Sequence, residues 1–354
     1  MKFLGEFIHE NGRPNSTINQ RIKRGYAIVA QIFALLSDLP VGNLRVEIGL
    51  ALRQAWLING ILFNSEVWYS VSATQIANLV AIDKYLLRGL VNAHAKVPLE
   101  HLYLELAALP LSYVLSVRRM IYLQVILKRN ESEITRKIYI SQKANPVPGD
   151  WCNQVADDFE TIGLHISDEH IAGMNEGEYK KLIRSKVREA ALTDLRNLQE
   201  GHSKVNQNFY NGLQKPTEYL LNRKISYRQA SIMFALQSRT LRGIKNNFKK
   251  MNSDNTLCWV CERSEDTQEH VLCCNVLLNI LPHKKPIEYN HINGTGEQQI
   301  EFIKTYERYL ELRDELQEDP NEGPSLPGLY AGPVRPQAGS TRLPGRSDET
   351  QSVG

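Results

Sequence analysis

The stretch Ser72-Ala-Thr-Gln-Ile76-Ala-Asn-Leu79-Val-Ala-Ile82-Asp-Lys-Tyr-Leu86-Leu-Arg-Gly-Leu90 sets the fold class. Ile76, Leu79, Ile82 and Leu86 recur every three or four residues, which places them on one face of a helix, and Ser72 offers a hydroxyl as N-cap. The same period extends in both directions. Ile18, Ile22, Tyr26 and Val29 open a helix running to about Leu36, and another covers 41–58, ending near Gly60. Leu99–Ala107 and Leu111–Lys128 follow, parted at Leu109-Pro110, where proline disfavours a continuous helix. Further helices are predicted over 150–162, 176–200 and 226–250, with a charged one at about 297–317. The first dozen residues read differently. Phe3–His9 and Glu10–Gly12 suggest a short β-hairpin. The expectation is a mainly α chain.

Organisation follows from breaks in this pattern. Residues 1–145 form a first helical domain, closed by the rigid turn Asn145-Pro-Val-Pro-Gly149. A basic helical region spans 146–256, a cysteine-rich motif 257–283, and the charged helix 284–318. The Pro/Gly-rich remainder, 319–354, is expected to be disordered. Hydrophobic residues make up 42% and charged residues 23%, the mix of a soluble globular protein. The apolar window 111–127 carries Arg118 and Arg119 in its middle, against a membrane span. MKFLGEFIHENG lacks a signal peptide's apolar core, so an intracellular site, nucleus or cytoplasm, is expected. In such a reducing compartment, cysteines serve metals more often than disulfides. Net charge is only +3, yet residues 180–250 hold sixteen Lys/Arg against four Asp/Glu, a balance that favours a polyanionic partner.

Four of the five cysteines fall in Cys258-Trp-Val-Cys261-(x8)-His270-(x2)-Cys273-Cys274. Two thiolates one tight turn apart suit tetrahedral Zn²⁺, and His270 with a further cysteine closes the shell. Cys273 and Cys274 compete for the last corner. Cys274 is favoured because three intervening residues bring His and Cys round about one helical turn. Four ligands with no open position make the site structural. Trp259, inside the loop, either covers the metal or stacks on an unpaired base. Trp68 reads as core.

Catalytic signatures are absent or misplaced. Val155-Ala156-Asp157-Asp158 imitates a polymerase carboxylate pair. However, Trp151, Val155, Phe159 and Ile162 make the segment a helix with both aspartates off its apolar face. There is no phosphate-binding Gly-rich loop, H-E-x-x-H or G-x-S-x-G motif. Arg118 and Arg119, on an apolar helix, call for a carboxylate or a phosphate, and Glu100 and Glu105 on the preceding helix are the expected partners.

Several segments in order resemble reverse transcriptases of non-LTR retrotransposons. They are Phe3-Leu4-Gly5, Arg21-Ile22, Leu62-Phe-Asn-Ser-Glu66-Val-Trp68, Asp83 with Leu87-Arg88, and Pro98-x-Glu100 with Leu102-Tyr103-Leu104-Glu105-Leu106. Leu109-Pro110, Arg118-Arg119 and Asp150-Trp151 continue the order, which closes on Cys258-x2-Cys261 with Asp266-Thr267-Gln268-Glu269-His270 and Cys274. The resemblance covers residues 1–280, corresponding to that family's thumb and connection followed by its Cys-His zinc motif. The family's fingers and palm, with the catalytic aspartates, lie upstream of the segment matching Phe3-Leu4-Gly5. The expectation is therefore a truncated RNA-directed DNA polymerase without its catalytic half, retaining RNA or DNA binding. Lys180, Lys181, Arg184, Lys186 and Arg188 would neutralise phosphates, helped by Trp259. The alternative is a zinc-stapled helical interaction module that offers its charged helix and Pro-rich tail to protein partners.

Overall fold

Ser72 caps helix α4 (Ala73–Val91) with a full capping box: its side chain accepts from Gln75 N at 3.2 Å, and Gln75 Oε1 accepts from Ser72 N at 3.2 Å. Leu79, Ile82 and Leu86 are wholly buried, as their spacing requires. The computed structural model describes residues 2–3, 6–7, 15–37, 44–200, 213–241, 244, 256–280, 288–294 and 296–317, and it is mainly helical. Before α4 come α1 (Asn15–Ser37) and α2 (Leu44–Leu52), which continues through a π-helical turn, Arg53–Ile58, into α3 (Asn59–Ile61). After it come α5 (Leu99–Glu105), α6 (Leu111–Leu127), α7 (Ile134–Ala144), α8 (Trp151–Thr161), α9 (Asp168–Gly173) and α10 (Glu176–Glu200). The chain then forms α11 (Glu218–Leu221), α12 (Tyr227–Gln237), α13 (His270–Cys273), α14 (Asn275–Ile280) and α15 (Glu297–Gln317).

Two apolar cores hold these helices. The larger joins α1–α5 to the C-terminal helices: Ile32, Leu57, Leu86 and Leu104 belong to the same cluster as Phe234, Cys258, Cys274, Phe302 and Tyr306. The smaller contains Met120, Leu123, Trp151, Val155, Tyr179, Ile183 and Val187. Helices α6 and α10 run through both, with Leu111, Leu115, Ala191 and Leu195 on the larger side. Trp68, 3% exposed, is core as expected. Helix crossings in the larger core depend on close approach. A Cβ on Gly49 would lie 2.2 Å from Leu90, and one on Gly89 2.2 Å from the Phe33 ring. Arg53, opening the π-helical turn, forms a bidentate pair with buried Asp83 at 2.6 and 2.7 Å and also donates to Leu109 O at 2.9 Å.

Several sequence expectations are corrected here. The N-terminal hairpin is not supported: Lys2–Phe3 and Glu6–Phe7 form a two-residue antiparallel ladder, too short to bury a face, and residues 8–14 lie outside those described. The helix expected over 226–250 stops at Gln237. Arg239 takes a left-handed backbone (φ 53°), and Thr240 N donates back to Ala235 O at 2.8 Å, a Schellman stop made without glycine. Ala107 (φ 48°) ends α5 in the same way, with Ala108 N donating to Tyr103 O at 2.9 Å. The tail 319–354 lies outside the described residues.

The arginine pairings also differ. Arg119 forms a bidentate pair with Asp158 of α8 at 2.7 and 2.8 Å, and Ser116 donates to the same carboxylate at 2.6 Å. Asp158 is therefore buried against α6 rather than turned outward, while Asp157 is exposed. Arg118 donates to Leu62 O and, at 2.9 Å, to Asn59 Oδ1, which closes the end of α3. Glu105 accepts from Tyr219 Oη at 3.0 Å instead of meeting either arginine. Burial pushes its carboxyl up to about 7, against donation from Thr217 and Tyr219. Glu100 is half-buried on the first turn of α5. Partner choice was decided by packing between helices distant in sequence, which adjacency along the chain does not encode.

Candidate metal centre

The first ligand pair sits on a knuckle. Leu257 bridges Glu265, Cys258 N donates to Ser264 O at 2.7 Å, and Glu262 N donates to Cys258 O at 2.7 Å. Glu262 turns the chain with a left-handed backbone (φ 54°). Together these bonds hold Cys258 and Cys261 on one tight loop. The second pair comes from α13. Thr267 Oγ1 accepts from His270 N at 3.0 Å and starts the helix, His270 is its first residue, and Cys274 follows its last.

The ligand atoms of Cys258, Cys261, His270 and Cys274 all lie within 4.8 Å of one another, a group that could hold a metal ion. His270 Nε2 is 3.3 Å from Cys261 Sγ, so this nitrogen faces the cluster. Its other ring nitrogen, Nδ1, lies 4.0 Å from Cys273 Sγ, and Cys273 donates to Glu269 O at 3.7 Å. Cys273 is exposed and outside the donor group, whereas Cys258 and Cys274 are buried. The geometry therefore selects Cys274 over Cys273 for the fourth corner.

The four donors differ in their electrostatics. Burial pushes the Cys274 thiol up to about 11, with the neighbouring Cys258 and Cys261 sulfurs adding to the rise. Burial also opposes ionisation of Cys261, but hydrogen bonds from the backbone of Arg263 and Ser264 and from Cys258 and Cys274 together outweigh it, leaving that thiol below its ordinary value. Burial lowers the His270 pKa, keeping the imidazole neutral and able to ligate. A bound divalent cation would take all three sulfurs as thiolates and release their protons.

Trp259 is half-buried, with the Arg313 guanidinium 5.3 Å from its ring centroid. That cation–π contact occupies one face of the indole. The basic residues lie elsewhere, on α10. Tyr179, Ile183 and Val187 face the smaller core, and Lys181, Arg184 and Arg188 are exposed at intervals of three and four residues. Lys180 pairs with Glu176, and Lys186 with Glu189 at 2.8 Å, both within the helix. Sequence reasoning missed Gln268, Asp266 and Arg313, which support the centre. The signal for the first two was the run Asp266–His270, quoted for its resemblance with no role given to either side chain. Arg313 lay 39 residues beyond Cys274 and carried no signal.

No family model, curated protein or solved structure matches this chain. Among the described residues, no helix is long and apolar enough to cross a membrane.

Proposed function

We propose that this chain is a nucleic-acid-binding unit that holds one structural Zn²⁺. The unit resembles the thumb-side and zinc portion of a non-LTR retrotransposon reverse transcriptase. Three sulfur donors and one imidazole suit zinc better than calcium, magnesium or manganese, and a full four-ligand shell leaves no position for substrate. No catalysis is assigned to these residues. Of the two carboxylates in the polymerase-like sequence, Asp158 is already bound by Arg119 and Ser116, and Asp157 is exposed.

The observation that carries the reading is the exposed stripe Lys181, Arg184 and Arg188 along α10, opposite a buried apolar face. A rigid helix presenting cations at this spacing can follow a phosphate backbone with little further ordering. The competing interaction-module reading rested on the charged helix, now α15, and on the Pro-rich tail, which lies outside the described residues. Phe302, Ile303, Tyr306, Tyr309 and Leu312 of α15 are buried in the larger core.

With about five phosphates engaged on a single strand, a fourfold rise in salt should weaken RNA binding roughly a hundredfold. Replacing Lys181, Arg184 and Arg188 with alanine should lower the log–log salt slope by about 2. Fluorescence anisotropy with a labelled single-stranded RNA measures both. An affinity indifferent to salt, or a slope unchanged in the triple variant, would sink the proposal.

A further inference from the structure

The segment joining the two ligand pairs is fixed from outside the cysteine motif. Asp266 accepts from Arg313 Nη2 at 2.9 Å, with side-chain exposures of 0% and 3%. Gln268 donates its amide to Leu236 O at 3.0 Å and to Tyr289 Oη at 2.6 Å, and its backbone carbonyl accepts from Tyr306 Oη at 3.0 Å. Glu269, next to His270, pairs with Arg239 just beyond α12. Tyr306 and Arg313 stand seven residues apart on α15, two turns along the same face. The short link Asp266–Glu269 is thus clamped between α12 and α15, and His270 follows it directly.

We propose that Arg313 and Asp266 are positioning residues for the metal centre, through which docking of α15 sets metal affinity. The inference rests on reading the Cys/His cluster as a metal site. Cys258 and Cys261 are held by their own knuckle, and the clamped link joins that knuckle to His270 and Cys274. Releasing the link leaves the metal to order it, and that ordering weakens binding. Linkage makes the effect reciprocal: the factor by which a docked α15 tightens metal binding is the factor by which metal tightens α15 docking. Loss of metal would therefore loosen a helix whose buried face includes Phe302, Ile303 and Tyr306.

Arg313→Met alone strands the Asp266 charge in the core, so the informative variant is Asp266→Asn/Arg313→Met, which removes both charges. Zinc affinity of the full chain is measured by competition with a chromophoric chelator. Hydrogen exchange across residues 302–313 is measured with and without that chelator. The expected result is a double variant with unchanged helical circular dichroism and zinc affinity weaker by tenfold or more. Chelation should raise exchange over 302–313 in the wild type and add little in the variant. Zinc affinity within twofold of wild type, or wild-type exchange indifferent to chelation, would overturn the inference. If the wild type takes up no zinc, the metal reading itself falls and this inference falls with it.

Discussion

His270 turns Nε2 toward Cys261 and the cluster that includes Cys274, and Nδ1 toward Cys273, which lies outside that cluster. Cys274→Ser should therefore abolish tight metal binding and Cys273→Ser should spare it. Cobalt substitution reports this directly through thiolate-to-metal absorption, and the reverse pattern would reassign the fourth ligand. Because Cys274 holds its proton to about pH 11 without metal, metal affinity should fall as pH falls, each sulfur that ligates as thiolate having to lose its proton first. Glu105 supplies a second test at this scale. Burial raises its folded-state carboxyl to about 7 from a usual 4.5, so the folded state binds the proton more tightly. Stability from this group is then full below about pH 4.5 and is lost as pH rises toward 7. Glu105→Gln should remove that dependence and stabilise the protein at pH 8 by at most about 3 kcal/mol. Urea midpoints at pH 5 and pH 8 measure it, and an unchanged pH dependence in the variant would contradict the assignment. The Cys/His cluster was legible in sequence because it is local, four residues within one short window. The partners of Arg119 and Glu105 were not, since Asp158 and Tyr219 arrive from helices 39 and 114 residues away.

The longer helices, unlike their ends, followed from periodicity, but α7 (Ile134–Ala144) and the short α9, α11 and α14 did not. The Ser72 box that starts α4 uses residues with a hydrogen-bonding reason to be there, whereas the stops at Ala107 and Arg239 place ordinary side chains in the left-handed region. No glycine marked either stop, so both boundaries were expected too late. Contacts between elements carry their own prediction. Asp158→Ala leaves Arg119, with 13% side-chain exposure, facing the α6–α8 contact without its carboxylate. The variant should lose roughly 3 kcal/mol in urea unfolding, more than an exposed ion pair would contribute. Gly49→Ala should also destabilise, because its Cβ would meet the Leu90 side chain at 2.2 Å and either that buried side chain or α2 would have to shift. Wild-type stability in either variant would mean that these crossings are looser than described.

At the scale of the whole molecule, the metal loop belongs to the same core as the N-terminal helices. Cys258, Cys274 and Val271 pack in one cluster with Phe234, Phe302, Tyr306 and, further along, Leu86 and Leu104. This continuity was hidden in the sequence because α15 looks like a charged surface helix. Its buried residues, Phe302, Ile303, Tyr306, Tyr309 and Leu312, are interleaved with six acidic residues over 297–317. A metal at this position would tie the last helix to the rest of the chain instead of stapling a separate finger. The most direct test of the account is the metal content of the purified full chain, by elemental analysis, beside Cys258→Ser/Cys261→Ser. The account predicts one zinc per wild-type chain, absent from the double variant, with loss of hydrogen-exchange protection over 256–280. Metal content unchanged in the double variant, or no zinc in the wild type, would contradict it.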